Sequence, residues 1–326
     1  MDLLNKTKEL CRIYDIHPAR SKGQNFLISE EIYDKIIEAA ELKKDDIVLE
    51  AGPGLGFLTA KLAEKAGRVA AVELDDKLAK YLKTAVDVQK FNNVEAVNGN
   101  VLELGIRNYE SGMEFYNKNN HTSYFILHTS KYKVVANLPY NITSVFLRKF
   151  LGEAEIKPSL MVLMLQKEVA ERNTAKPGKM SLLAVSAQFY AALEIIEYAP
   201  KENYWPKPEV DSAIVKIRIK AQVVIARIDS DEAIHNSSRE KQPVIDRHGL
   251  RSRDDKLEKE FFRLVKIGFS ARRKMLKNNL ANGFHISQET AEKWLTSAGF
   301  KTKIRAQELS VEDWKKLLVA VSKNML

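Results

Sequence analysis

Asp46-Ile47-Val48-Leu49 is a short apolar run that leads into Glu50-Ala51-Gly52-Pro53-Gly54-Leu55-Gly56. The residues after it place Leu58, Leu62 and Ala63 on one helical face. Strand, glycine-rich turn and helix in that order form the nucleotide-binding opening of a doubly wound α/β sheet. The glycines let the backbone approach a ligand that a β-carbon would push away. Nineteen residues past Gly54, at the end of the apolar run Val69-Ala70-Ala71-Val72, stands Glu73. An acid at that distance is placed to accept from the two ribose hydroxyls of an adenosine.

Dehydrogenases carry a similar turn, so the turn alone does not choose a cofactor. Two details favour S-adenosylmethionine over a nicotinamide dinucleotide. Glu50 precedes the glycines, where it favours a cation and would repel a pyrophosphate. The spacing is Gly-x-Gly-x-Gly, without the third glycine position of the dinucleotide fingerprint.

A second strand end carries chemistry of its own. Lys133-Val134-Val135-Ala136 reads as a buried strand and is followed by Asn137-Leu138-Pro139-Tyr140. Open α/β sheets place ligands beyond such carboxyl ends. Asn137 offers a side-chain carbonyl and Leu138 a main-chain carbonyl, together able to accept both hydrogens of an exocyclic amino group. Pro139 stiffens the turn, and Tyr140 presents a flat face for an unstacked base. On this reading only the ring of Tyr140 matters, and loss of its hydroxyl should be mild.

Composition sets limits. The 326 residues suffice for one α/β domain and a smaller companion. No run approaches the roughly 18 to 20 apolar residues of a membrane helix, and the start, Met1-Asp2-Leu3-Leu4-Asn5-Lys6, lacks a secretory layout. The single cysteine, Cys11, fits a reducing cytoplasm. No Cys/His cluster has metal-ligand spacing, so no metal is expected. The net charge of +9 points to a polyanionic partner. Phe261 to Leu280 concentrates that charge: Arg263, Lys266, Arg272, Arg273, Lys274 and Lys277, with no acid. Apolar residues interleave with them as in an amphipathic helix pair or one bent helix, and a one-signed face suits phosphate contact.

Along the chain, strands are predicted near 47–50, 69–73, 94–97, 133–137 and 160–166, with helices between. An apolar pair near 193–198 and 212–219 completes a mainly parallel seven-stranded sheet. Residues 105–132 read as a long surface loop around Asn117-Lys118-Asn119-Asn120. Residues 229–256 hold 13 charged residues in 28 and no Phe, Tyr or Trp, as a flexible linker would. Helical spacing resumes over 257–326, with Trp294, Leu295, Trp314, Leu317 and Leu318 as expected core. The domains are then 1–220, a charged linker or insertion over 221–256, and a helical domain over 257–326.

Together these motifs resemble the KsgA-type small-subunit ribosomal RNA adenine dimethyltransferases. The resemblance is carried in order by Ser21-Lys22-Gly23-Gln24-Asn25-Phe26-Leu27, Glu50-Ala51-Gly52-Pro53-Gly54, Asn137-Leu138-Pro139-Tyr140 and Leu165-Gln166-Lys167-Glu168-Val169-Ala170. It continues through Trp205-Pro206-Lys207-Pro208-Glu209-Val210-Asp211-Ser212 and Phe269-Ser270-Ala271-Arg272-Arg273-Lys274-Met275-Leu276. It implies a Rossmann-like class I S-adenosylmethionine-dependent methyltransferase domain with a small C-terminal α-helical domain.

It also implies roles. Asn25 and Leu27 would contact the cofactor, Gly52 would lie against its methionine part, Glu73 would hold the ribose, and Asn137 would bridge cofactor and target. Glu50 and Gly54 complete the cofactor loop, and Arg272, Arg273, Lys274 and Lys277 would contact RNA. The chain departs from the family at Asn100, where an aspartate usually accepts from the cofactor's adenine; weaker cofactor affinity is the expected consequence. The implied activity is N6-dimethylation of adenines in small-subunit ribosomal RNA, on an immature subunit, by a cytoplasmic monomer. Two alternatives stand beside it: a large-subunit adenine methyltransferase of the macrolide-resistance type, and an assembly factor for which methylation is secondary. A DNA adenine methyltransferase uses a similar loop, but the sequence shows no second domain suited to duplex recognition, and a nicotinamide oxidoreductase fits least.

Overall fold

In the computed structural model the described residues are 2–18, 23–109, 112–119, 123–127, 131–220 and 247–325. The chain divides into two units, one of residues 1–174 and 190–220, the other of residues 175–189 and 221–326.

The first unit opens with helix α1 (Leu3–Ile13), started by the Asp2 carboxylate accepting from the Asn5 N–H. Short strand β1 (Phe26–Leu27) and α2 (Glu30–Ala40) follow. The predicted nucleotide-binding run then appears as β2 (Ile47–Ala51), α3 (Phe57–Lys65) and β3 (Arg68–Glu73). After α4 (Asp76–Val88) and β4 (Val94–Asn98) come β5 (Leu104–Tyr109), β6 (Gly112–Asn117) and β7 (Ser123–Leu127). The unit closes with β8 (Lys133–Asn137), α5 (Thr143–Arg148), β9 (Leu160–Gln166), α6 (Lys167–Asn173), β10 (Ala191–Ala199), β11 (Tyr204–Trp205) and β12 (Ser212–Ile219).

Seven strands form the central sheet in the order β10-β12-β9-β8-β2-β3-β4. β4, β3, β2, β8 and β9 run parallel; β12 is antiparallel to β9, and β10, antiparallel to β12, runs again in the direction of the first five. Buried on both faces, β2, β3, β8 and β9 are nearly continuous apolar runs, as their position demands, whereas edge strand β4 is mostly uncovered. The chain steps outward from β2 to β3 and β4, then returns to lay β8 on the other side of β2. Strand order reverses between β2 and β8, and there the loops after them diverge and leave a crevice. That reversal positions the site.

Residues 105–132 correct the sequence reading. Instead of a loop they supply a three-stranded antiparallel sheet, β5-β6-β7. Ile106 faces Phe115 across its first ladder, and Leu104, Ile106, Met113 and Phe115 are buried. Phe115 packs edge-on against Tyr132, at 5.7 Å between ring centres. Of the asparagine-rich run that suggested a loop, Asn117 ends β6 and Lys118 and Asn119 turn beyond it, and the alternation of Met113 and Phe115 is that of a strand with one buried face.

The second unit contains α7 (Leu182–Tyr190) up to Phe189, α8 (Arg247–Gly268), α9 (Leu276–Phe284), α10 (Gln288–Ser297) and α11 (Val311–Met325). Trp294, Leu295, Trp314, Leu317 and Leu318 are buried as expected. Residues 175–189, assigned from sequence to the methyltransferase domain, group with this unit. Phe189 stacks on Phe261 at 4.4 Å and meets Phe262 edge-on at 5.0 Å. Helical spacing cannot tell which core a helix will join. The stretch 229–256 read as a linker ends inside α8, which starts at Arg247; residues 221–246 lie outside the described residues.

Candidate active site

Beyond the carboxyl ends of β2 and β8, the glycine-rich turn and the Asn137–Tyr140 loop line one pocket with Gly23 to Leu27 and Glu73. Gly52 has φ +68°, and a β-carbon there would lie 3.7 Å from Pro139 Cδ. Gly23, at φ +66°, would place one 3.5 Å from both Pro139 Cβ and the Tyr140 nitrogen. Only a residue without a side chain adopts those angles cheaply. The three motifs therefore close on one another around Pro139.

The acids divide the work. Glu73, at the end of β3, accepts from the Gly54 N–H at 3.0 Å and the Asp75 N–H at 2.9 Å. Those bonds tie the turn to β3. Burial, the largest influence, holds the Glu73 carboxyl above its usual range against these bonds. Glu50 is 1% exposed, and its Oε2 has no hydrogen-bond partner. Burial, with a smaller contribution from Glu73, pushes Glu50 up to about 8, although the Thr59 hydroxyl favours its anion. A buried carboxyl with one unsatisfied oxygen beside a glycine turn is poised for a cation to enter.

The other wall is the Asn137 corner. Asn137 is half-buried, Leu138 buried, and Pro139 and Tyr140 half-buried. Asn137 ends β8 opposite Met164 of β9, so its position is fixed by the ladder. Tyr140 begins a short 3₁₀ turn, 140–142. Its hydroxyl lies 2.7 Å from the Ser212 hydroxyl of β12. The sequence reading gave that hydroxyl nothing to do; here it is bonded.

The pocket brings together Asn25, Leu27, Glu50, Gly52, Gly54, Glu73, Asn137, Leu138, Pro139 and Tyr140. Asn100 is not among its lining residues. It starts the 3₁₀ turn 101–103, its side-chain carbonyl accepting from the Leu102 N–H at 3.0 Å and its amide donating to Glu103 at 3.1 Å. Ser21 and Lys22 lie outside the described residues. In the second unit, Arg272, Arg273 and Lys274 are exposed in the turn between α8 and α9. Lys277 is instead committed to Glu292 at 2.5 Å. Sequence reasoning missed Tyr33, Phe57 and Tyr204, which also line the pocket. Leu74, 67% exposed directly after Glu73, lines a neighbouring hollow with Gln24 and Asp75 instead.

Among the described residues no helix is long and apolar enough to cross a membrane, and no three metal-binding side chains converge. Residues 17–232 match the family model described as ribosomal RNA adenine dimethylase. A protein of Dehalococcoides mccartyi (strain ATCC BAA-2266 / KCTC 15142 / 195) named ribosomal RNA small subunit methyltransferase A is 37% identical, over 99% of this chain and 94% of that protein. The protein of the same name from Enterococcus faecalis is 33% identical, over 98% and 96%. Among solved structures, a dimethyladenosine transferase from Plasmodium falciparum covers 92% of this chain and 98% of its own, with a TM-score of 0.65 and 23% identity. The 23S rRNA methyltransferase ErmE covers 91% and 99%, with a TM-score of 0.63 and 24% identity. These two likenesses establish the fold.

Proposed function

Since the chain belongs to the ribosomal RNA adenine dimethylase family and is an S-adenosylmethionine-dependent adenine N6-dimethyltransferase of ribosomal RNA, we propose that the pocket around Pro139 performs the transfer. Its substrate is small-subunit ribosomal RNA, carried on the immature subunit, and the enzyme works as a cytoplasmic monomer. The observation that carries this reading is the closure of the glycine turn and the Asn137 corner on the two sides of one proline.

The residues fit the cofactor by their chemistry. Glu50 offers an unsatisfied buried oxygen to a cationic ligand, and Glu73 offers ribose acceptors at the end of β3. Asn25, Leu27, Gly52 and Gly54 supply the wall between them. When bound, S-adenosylmethionine supplies an electrophilic methyl group.

Everything else falls to the chain. The amino nitrogen of adenine is a poor nucleophile because its lone pair is delocalised into the ring. Accepting both amino hydrogens, at Asn137 and at the Leu138 carbonyl, holds the nitrogen with its lone pair directed across the pocket. Positioning of this kind supplies much of the barrier reduction without a formal base. The target base leaves its stack, at a cost of a few kcal/mol, and lies on Tyr140. The exposed Arg272, Arg273 and Lys274 neutralise backbone phosphates and restrict which RNA is presented. The macrolide-resistance reading rests on the fold alone, whereas the small-subunit reading has sequence relatives behind it.

Purified protein incubated with labelled S-adenosylmethionine and immature small subunits should yield N6-dimethyladenosine, identified by nucleoside mass. Asn137→Ala should abolish that product while the protein stays folded and binds RNA. Wild-type turnover in this variant would remove the acceptor role.

A further inference from the structure

The Tyr140 ring sits on a loop, and a loop ring turns about two side-chain torsions unless something holds it. Pro139, which precedes the 3₁₀ turn, gives the turn no side-chain cap. The restraint comes from elsewhere in the sheet. Ser212, wholly buried, is the first residue of β12 and pairs with Gln166 of β9. β9 lies between β12 and β8, so the Tyr140 side chain reaches across one whole strand to its 2.7 Å partner.

Ser212 is itself fixed on both sides. The strand ladder holds it from one direction. From the other, the carbonyl of Asp211 accepts from the Lys167 N–H at 2.9 Å, and the Asp211 carboxylate accepts from the Lys201 N–H at 3.1 Å. Beside it lies Tyr204, a buried residue that also lines the pocket. Burial holds the Tyr204 phenol above its usual range, with Tyr140 acting in the same sense and hydrogen bonding to Ser212 acting against it.

We propose that Ser212 is a positioning residue for methyl transfer, setting the plane of the Tyr140 ring on which the target adenine lies. The inference rests on the base-stacking role given to Tyr140 above. Two acceptors at Asn137 and Leu138 place the amino nitrogen, but they leave the base free to tilt about the axis through it. A ring held at its far end removes that freedom. The consequence reverses the sequence expectation: the Tyr140 hydroxyl is not dispensable, because it is the handle by which the sheet grips the plate.

The test is a double-mutant cycle on the full chain, with Ser212→Ala, Tyr140→Phe and the pair. Each single variant should lose roughly 5- to 10-fold in kcat, the factor a neutral hydrogen bond of ordinary strength carries. KM for S-adenosylmethionine should stay unchanged, since neither group touches the cofactor wall. The pair should be no slower than either single variant, because both remove the same bond. A structural defect would instead give additive losses or move KM, and either result overturns the proposal, as does wild-type kcat in Ser212→Ala. Should Ser212→Ala fail to fold, Tyr140→Phe alone decides: unchanged kcat rejects the role and a loss at constant KM supports it. A wild-type chain that methylates no adenine overturns the preceding reading as well, so the two failures are told apart.

Discussion

Replacing Glu50 with glutamine should make the free protein more stable in alkali and worse at holding its cofactor. Glu50 is buried in β2 with Oε2 unsatisfied, and its surroundings include the Glu73 carboxyl, the Thr59 hydroxyl and the Tyr33 phenol. Burial raises it from 4.5 to about 8. The native state therefore binds a proton that the unfolded chain has released over the range between those values. A raised folded value gives stability that is complete below the unfolded value and is lost as pH rises through the folded one. Integrating between the two, about 1 kcal/mol is gone at pH 5 and about 4 kcal/mol at pH 8.

Glutamine has nearly the shape of the protonated acid but does not titrate. Its extra N–H, placed where Oε2 has no partner, costs about 1–3 kcal/mol, equally at every pH. The stability of Glu50→Gln relative to wild type should thus climb by roughly 3 kcal/mol from pH 5 to pH 8, whatever the constant penalty. Urea unfolding of both proteins at several pH values across that range measures it, and parallel pH profiles would refute the argument. Calorimetry in buffers of different ionisation enthalpy supplies the functional half. Wild type should release protons when it binds S-adenosylmethionine near neutral pH, and the glutamine variant should bind more weakly with no such release.

Two further outcomes follow from the geometry. Converting Arg272, Arg273 and Lys274 together to alanine should weaken binding of ribosomal RNA and flatten the dependence of log K on log salt by about 2–3; Lys277→Ala, whose ammonium is already paired with Glu292, should change that slope little. Asn100→Asp restores the usual family residue but sets a carboxylate against Glu103, which now accepts from the Asn100 amide; it should tighten S-adenosylmethionine binding only when Glu103→Gln accompanies it, as titration calorimetry on both variants can decide.

The central sheet was legible because burial on both faces forces long apolar runs. The strands predicted at 133–137, 160–166 and 212–219 coincide with β8, β9 and β12, and the remaining four differ by one or two residues at their ends. The pocket was legible where a residue's chemistry is local: glycines at positive φ, an acid ending β3, and the Asn137 acceptor at a strand tip. What failed to show was decided by distant partners. Met113 and Phe115 alternate over too short a stretch to outweigh an asparagine-rich neighbourhood. Phe189 gives no sign that Phe261 awaits it. Nothing near Tyr140 in the chain announces that a serine 72 residues away will hold its hydroxyl.

That division also bears on how the enzyme chooses its target. ErmE, a 23S rRNA methyltransferase, shares this chain's fold, while the sequence relatives are small-subunit methyltransferases. A shared sheet therefore does not select the RNA. What it positions, on the proposed reading, suits any exocyclic adenine amine: Asn137 and Leu138 as acceptors, Tyr140 as a plate, and a pocket lined by Glu50 and Glu73. Selection has to be made by groups that meet the backbone and flanking nucleotides. The exposed basic turn between α8 and α9 has the charge for that contact. On the proposed roles, variants of Asn137 and Ser212 should change turnover, and variants of Arg272, Arg273 and Lys274 should change RNA binding.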